Sequence, residues 1–158
     1  MRLAQERQNW TTTVECRGVL AQAELSVDDP AAALSWLEPV ADALQEAGIG
    51  DPGCHPFTAD LIEAWAATGQ LEPAADRLKW LRSAAQTLDH PWGRVTSGRA
   101  EAVLRLAERD PVAAADAVAA VITEARDHGL ILELGRCLLV LGTAQRNRVD
   151  LARRPAPP

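Results

Sequence analysis

Three short segments open helical patterns in the same way: DDPAAA at 28–33, LEPAA at 71–75 and DPVAAA at 110–115. Their prolines, Pro30, Pro73 and Pro111, are 43 and 38 residues apart. Proline suits the first turn of a helix, where its missing N–H is no loss, and an aspartate before it caps that turn. The alanines that follow are small, so a neighbouring helix can approach closely there. A second match joins Leu34-Ser35-Trp36-Leu37 to Leu78-Lys79-Trp80-Leu81 at an offset of 44. A helix–turn–helix unit recurring every ~34–47 residues signals an α-solenoid. Each pair carries an apolar stripe that it cannot bury alone, and stacking the pairs buries it. The expected fold is all-α, an α-solenoid of stacked, tetratricopeptide-like helix pairs. The competing architecture is an up-and-down bundle, disfavoured because short turns alternate with longer links.

Periodicity predicts about seven helices. The first carries Trp10, Val14, Ala21 and Leu25, and the second carries Leu34, Leu37, Ala41 and Leu44 and closes at Gly48. Pro39 lies inside that second stripe and predicts a kink or a break. GIGDPGCHP at 48–56 reads as a loop. A third helix is expected from Thr58 to Thr68, a fourth from near Pro73, a fifth after Trp92, a sixth from Pro111 and a seventh through Leu134, Leu138 and Leu141. This gives a repeat domain over 1–150 and a Pro-rich tail, extended or disordered, over 151–158. Composition agrees, since a 47% hydrophobic chain with no tyrosine favours helices over a sandwich or barrel.

The formal charge of −6 argues against a general nucleic-acid binder. It is uneven. Residues 1–125 carry ten basic and nineteen acidic side chains, a net of −9, whereas residues 126–158 carry six and three, a net of +3. A cation cluster at the end of a helix also complements the helix dipole. Cys16, Cys54 and Cys137 form no CxxC pair, which suits a reducing compartment. The start MRLAQERQNW has no apolar core of a signal peptide, and no apolar run approaches the ~20 residues of a membrane span. The expected location is cytoplasmic.

No constellation for catalysis stands out. Cys54 and His55 are adjacent, but a closed zinc site needs four ligands and no spacing links them to His90 or His128. They read as an exposed loop element. Asp60, Glu63 and Asp76 read as carboxylates on solvated helix faces. There is no GxxxxGK[ST] phosphate loop. The chain is therefore expected to be no enzyme and to hold no cofactor and no metal. Trp36 and Trp80 sit at matching positions beside core leucines and are expected to pack between helices. Trp65 lies on a first-of-pair helix, the kind that lines a concave face, and is a candidate for contact with a partner.

The runs HPFTADLIEAWAATGQLEPAADRLKWLRSAA and HPWGRVTSGRAEAVLRLAERDPVAAADAVAAVI, followed by LGRCLLVLGTAQRNR from Leu134 to Arg148, carry a resemblance. Over roughly residues 15–153 the chain resembles the helical-repeat region of large ATP-binding, MalT-like regulators of the LuxR type. In that family the repeats stand between a nucleotide-binding ATPase region and a DNA-binding helix-turn-helix. The resemblance implies a sensor or relay module, here a fragment without either flanking activity. It implies a protein segment or small-molecule effector on the concave face, with self-association as a further expectation, and no direct contact with nucleic acid or membrane. The expected partner-binding residues are Trp65, Arg136, Arg146 and Arg148. A free-standing adaptor for protein–protein contacts is the alternative.

Overall fold

The computed structural model describes residues 2–153, and for residues 2–10 the backbone alone. The described residues form seven α-helices and no strand: α1 (Arg2–Ser26), α2 (Pro30–Glu46), α3 (Thr58–Ala67), α4 (Leu71–Thr87), α5 (Pro91–Ala107), α6 (Pro111–Asp127) and α7 (Ile131–Arg153). A single 3-10 turn, Pro52–Cys54, precedes α3. None of these helices is long and apolar enough to cross a membrane.

The caps behave as their chemistry requires. Oδ1 of Asp29 accepts from the Ala32 amide at 2.9 Å, and Oδ1 of Asp110 from the Ala113 amide at 3.0 Å. His90 does the same for α5, Nδ1 accepting from the Gly93 amide at 3.1 Å. All six links then share one exit geometry. The residue two places beyond each helix end is left-handed: Asp28, Gly48, Gly69, Asp89, Arg109 and Gly129. The next amide closes a Schellman bond to the carbonyl five residues back, as Asp29 does to Glu24 at 3.0 Å and Asp110 to Arg105 at 2.9 Å.

These boundaries give the true period. The second helices of the pairs, α2, α4 and α6, each have 17 residues and begin at 30, 71 and 111. The left-handed residues Asp28, Gly69 and Arg109, and likewise Gly48, Asp89 and Gly129, keep the same steps of 41 and 40. Pro73 is thus the third residue of α4, not its first, which is why proline spacing alone misjudged the repeat. Ala33, Ala74 and Ala114 fall at the fourth position of these helices, and all are fully buried. Leu37, Leu78 and Val118 follow one turn later and are buried as well. In this register Trp36 corresponds to Arg77, not to Trp80, so the sequence match at offset 44 had slipped by about one turn. Both tryptophans are nonetheless half-buried against the core.

α2 runs through Pro39 without a break. Pro39 and Ser35, whose carbonyl loses its helical partner, are both exposed, so water satisfies that carbonyl at little cost. α7 continues to Arg153, into the segment expected as a tail, and residues 154–158 lie outside the described residues.

Successive helices pack in sequence, and α1, α3, α5 and α7 also pack on one another. α2, α4 and α6 are not joined in this way to a comparable extent. Helices close together in one layer and splayed in the other make a curved array, with the first-of-pair helices on the inner side. The core forms as three clusters in succession, centred on α1–α2–α3, α3–α4–α5 and α5–α6–α7. This layering is compatible with a helical repeat.

Candidate functional site

Arg99 on α5 is 1% exposed, yet it is a charged residue in the middle of the inner layer. Its guanidinium is held on three sides. Nη2 donates to Oδ1 of Asp60 at 2.9 Å, Nη1 to Oε2 of Glu63 at 2.8 Å and Nε to Oε2 of Glu133 at 3.1 Å. Asp60 and Glu63 belong to α3 and Glu133 to α7, so one side chain ties three inner helices. Arg136 on α7 caps the group, pairing with Asp60 and lying 3.8 Å from Glu63 and 3.5 Å from Glu133. Burial alone depresses the Arg99 pKa, but Asp60, Glu133 and Glu63 outweigh that and raise it. The charge therefore persists inside the protein because each of its three nitrogens meets a carboxylate.

The repeat register shows how specific this is. The positions of Arg99 in the two earlier pairs are Gly18 and Ala59, and those of Asp60 in its neighbouring pairs are Val19 and Ala100. The charges are additions to the repeat, not part of it. Three carboxylates face two guanidinium groups, leaving one negative charge in excess. Glu63 is the most open of the acids, its side chain 32% exposed against 7% for Asp60 and 8% for Glu133.

Above this network lies a groove of about 500 Å³ on the inner face of the array. Glu63, Arg99 and Arg136 form its floor, with Val19 of α1 on one wall and Leu132 and Leu139 of α7 on the other. A second hollow of about 280 Å³ adjoins it, sharing Val19, Gln22, Leu132 and Arg136 and extending to Phe57 and Trp92. The wall residues are large and open: Val19 is 67% exposed, Leu132 69% and Leu139 74%. Large apolar side chains thus stand exposed at the mouth of a charged groove.

Arg136 is the one expected partner residue that lies in this floor. Arg146 and Arg148 are exposed near the end of α7, at least 10 residues along the helix, or roughly 15 Å away. Nη2 of Arg146 donates to Oγ1 of Thr143 at 2.9 Å. Trp65 does not line the groove. Its indole donates to Oε1 of Glu38 at 2.9 Å and walls a separate cavity on the outer side, between α2 and α4.

Two readings of single residues change. Asp60 is not on a solvated face but 5% exposed beneath Arg136. His55 is not an exposed loop residue but 1% exposed, its Nε2 2.6 Å from the Ile49 carbonyl and its ring edge-on to Trp80 at 4.9 Å. Arg99 and Glu133 drew no attention in the sequence. The available signal was the pair of i,i+3 arrangements, Asp60 with Glu63 and Glu133 with Arg136, on two inner helices. Among the described residues no group of three or more histidine, cysteine or acidic side chains is arranged to hold a metal ion.

No protein-family model matches the chain, and neither a curated protein nor a solved structure matches it.

Proposed function

We propose that the chain is a non-enzymatic interaction module that receives a partner segment in the inner groove. The observation that carries this reading is the combination of apolar walls and a charged floor, built on four helices of different pairs. The excess carboxylate at Glu63 favours a segment with a lysine or arginine between apolar residues. The charge-assisted contact supplies register, and Val19, Leu132 and Leu139 supply buried area. In keeping with the resemblance of the sequence, the module serves as the sensor-relay repeat region of a LuxR-type regulator, with a cytoplasmic location. A relay needs a signal from one element to reach others, and Arg99 and Arg136 connect α3, α5 and α7 directly.

A peptide-display selection on the protein tests the groove. Enriched peptides should place a basic residue between apolar ones, and Leu139→Glu or Glu63→Gln should each abolish their capture. Peptides of unrelated chemistry, or capture indifferent to both substitutions, would refute the reading. Sequencing the flanking DNA tests the regulatory assignment. A continuous frame with a phosphate-binding loop and a helix-turn-helix supports it, and the absence of both transfers the module to a free-standing adaptor.

A further inference from the structure

The outer side of the array opens where α2 and α4 diverge. A cavity of about 610 Å³ lies there, walled by Ile49, His55, Trp65, Pro73, Arg77 and Trp80. Its size and aromatic lining fall in the range of small-molecule sites.

Arg77 gives the cavity its chemistry. It is half-buried, with its guanidinium carbon 5.3 Å from the centre of the Trp80 ring and one long hydrogen bond, Nη2 to Oε1 of Gln45 at 3.4 Å. It forms no ion pair among the described residues. Burial lowers its pKa, opposed by Asp42. The contrast is with Arg94 and Arg99, whose carboxylate partners raise theirs. A guanidinium stacked on an aromatic face keeps its edge donors for a carboxylate or phosphate.

His55 is a second polar residue of the wall. Nε2 faces the Ile49 carbonyl, so it carries the ring proton and Nδ1 is a bare acceptor. That buried Nδ1 has no hydrogen-bond partner among the described residues. Buried polar atoms without partners are rare enough to call for a cause. The repeat register supplies one. The residues at the His55 position in the neighbouring pairs are Val14 and Val95, and those at the Arg77 position are Trp36 and Ala117. Two apolar positions of the repeat have become polar, and both line the same cavity.

We propose that this cavity binds a small aromatic carboxylate, with its anion on Arg77 and its ring against Trp65 and Trp80. The site is separate from the inner groove and does not depend on what the groove receives. Asp76 also lines the cavity and pairs with Lys79 at 2.8 Å, Asp51 accepts from the Gly53 amide at 2.8 Å, and Asp42 is the carboxylate whose charge acts on Arg77.

Calorimetric titration of the full chain with 4-hydroxyphenylacetate tests the site. Saturable binding is expected, about tenfold or more weaker for the neutral 4-hydroxyphenylacetamide, since a charge-assisted pair is lost. Arg77→Gln should lose the same factor, whereas Arg82→Gln, on the same helix but paired with Glu101, should bind as the parent does. Absence of saturable binding by the parent protein, equal affinity for the amide, or an Arg77→Gln variant of unchanged helicity and unchanged affinity would overturn the proposal. The comparison of acid with amide needs no variant, so a variant that fails to fold leaves the test intact.

Discussion

Nη2 of Arg99 on α5 lies 2.9 Å from Oδ1 of Asp60 on α3, and both side chains are buried, 2% and 7% exposed. Neither charge has water to fall back on. Removing the guanidinium leaves Asp60 and Glu133 buried with Arg136 as their remaining cation. Arg99→Met is therefore expected to cost about 3–5 kcal/mol in urea unfolding, the scale for breaking a buried pair. Arg99→Lys should recover little, because one ammonium cannot reproduce three directed bonds. A loss below about 1 kcal/mol for Arg99→Met would show that the network contributes little to stability.

Gly98 lets α5 pack tightly against Val121 of α6. A Cβ there would sit 2.5 Å from Cγ1 of Val121. Valine is stiff about χ1 in a helix and cannot swing away. Gly98→Ala should destabilise by about 1–3 kcal/mol despite alanine's better helix propensity. Val121→Ala should reverse most of that in the double variant. Thermal melts of the four proteins give the coupling, and additive losses would contradict the packing argument.

Arg109 adopts φ 64° in the link between α5 and α6, the position that glycine fills at Gly48, Gly69 and Gly129. A side chain in this region carries a conformational cost of roughly 1–2 kcal/mol. Arg109→Gly is expected to raise stability by about 0.5–1 kcal/mol, since glycine's extra chain entropy offsets part of the gain. A lowered melting temperature would count against it.

His55 gives stability a pH dependence. Burial lowers its pKa below the ordinary 6.5, with the Ile49 hydrogen bond in partial opposition. Above 6.5 the imidazole is neutral in both folded and unfolded chains, and it contributes nothing to the slope. As pH falls below that value the unfolded chain takes up a proton that the folded one resists, so stability declines. His55→Gln should flatten the decline between about pH 6.5 and 5, measured by urea titration at each pH. An equal slope in both proteins would exclude His55 as its source.

The three cysteines should separate by reactivity. Cys16 and Cys54 are exposed, whereas Cys137 is buried, its thiol pushed up to about 11, chiefly by burial. A disulfide reagent at neutral pH should modify two thiols quickly and the third after denaturation. Fast reaction of all three in the native protein would place Cys137 at the surface.

Local features of this molecule were legible in its sequence. Asp29 and Asp110 announce the caps of α2 and α6, and Gly48, Gly69 and Gly129 announce three of the six helix exits. At the other three exits Asp28, Asp89 and Arg109 take the same backbone conformation without being glycine, and of these the sequence marks a break only at Asp89-His90-Pro91. The period was blurred for a related reason, since Pro73 serves at a helix's third position and Pro30 and Pro111 at the first. The inner charges were harder still. Asp60 and Arg99 are 39 residues apart, and nothing in either neighbourhood distinguishes a paired, buried carboxylate from a solvated one. Arg136 was singled out as a partner contact from its place in a family-like segment; the structure locates it in the groove floor, while Arg146 and Arg148 lie farther along the same helix. His55 looked like a loop residue because proline and glycine surround it, although it takes the place of a core valine.

All six links leave their helices through one backbone geometry, and five of them reach the next helix in three residues, the link from α2 to α3 alone inserting the Pro52–Cys54 turn. Duplicating about 40 residues between any two equivalent exits would add a pair without inventing a new turn. The inner charges break that interchangeability: a copied pair would bring a second Arg99, or a second Asp60 and Glu63, with no complement waiting for it. The array can lengthen by duplication, but the groove keeps its place in the count.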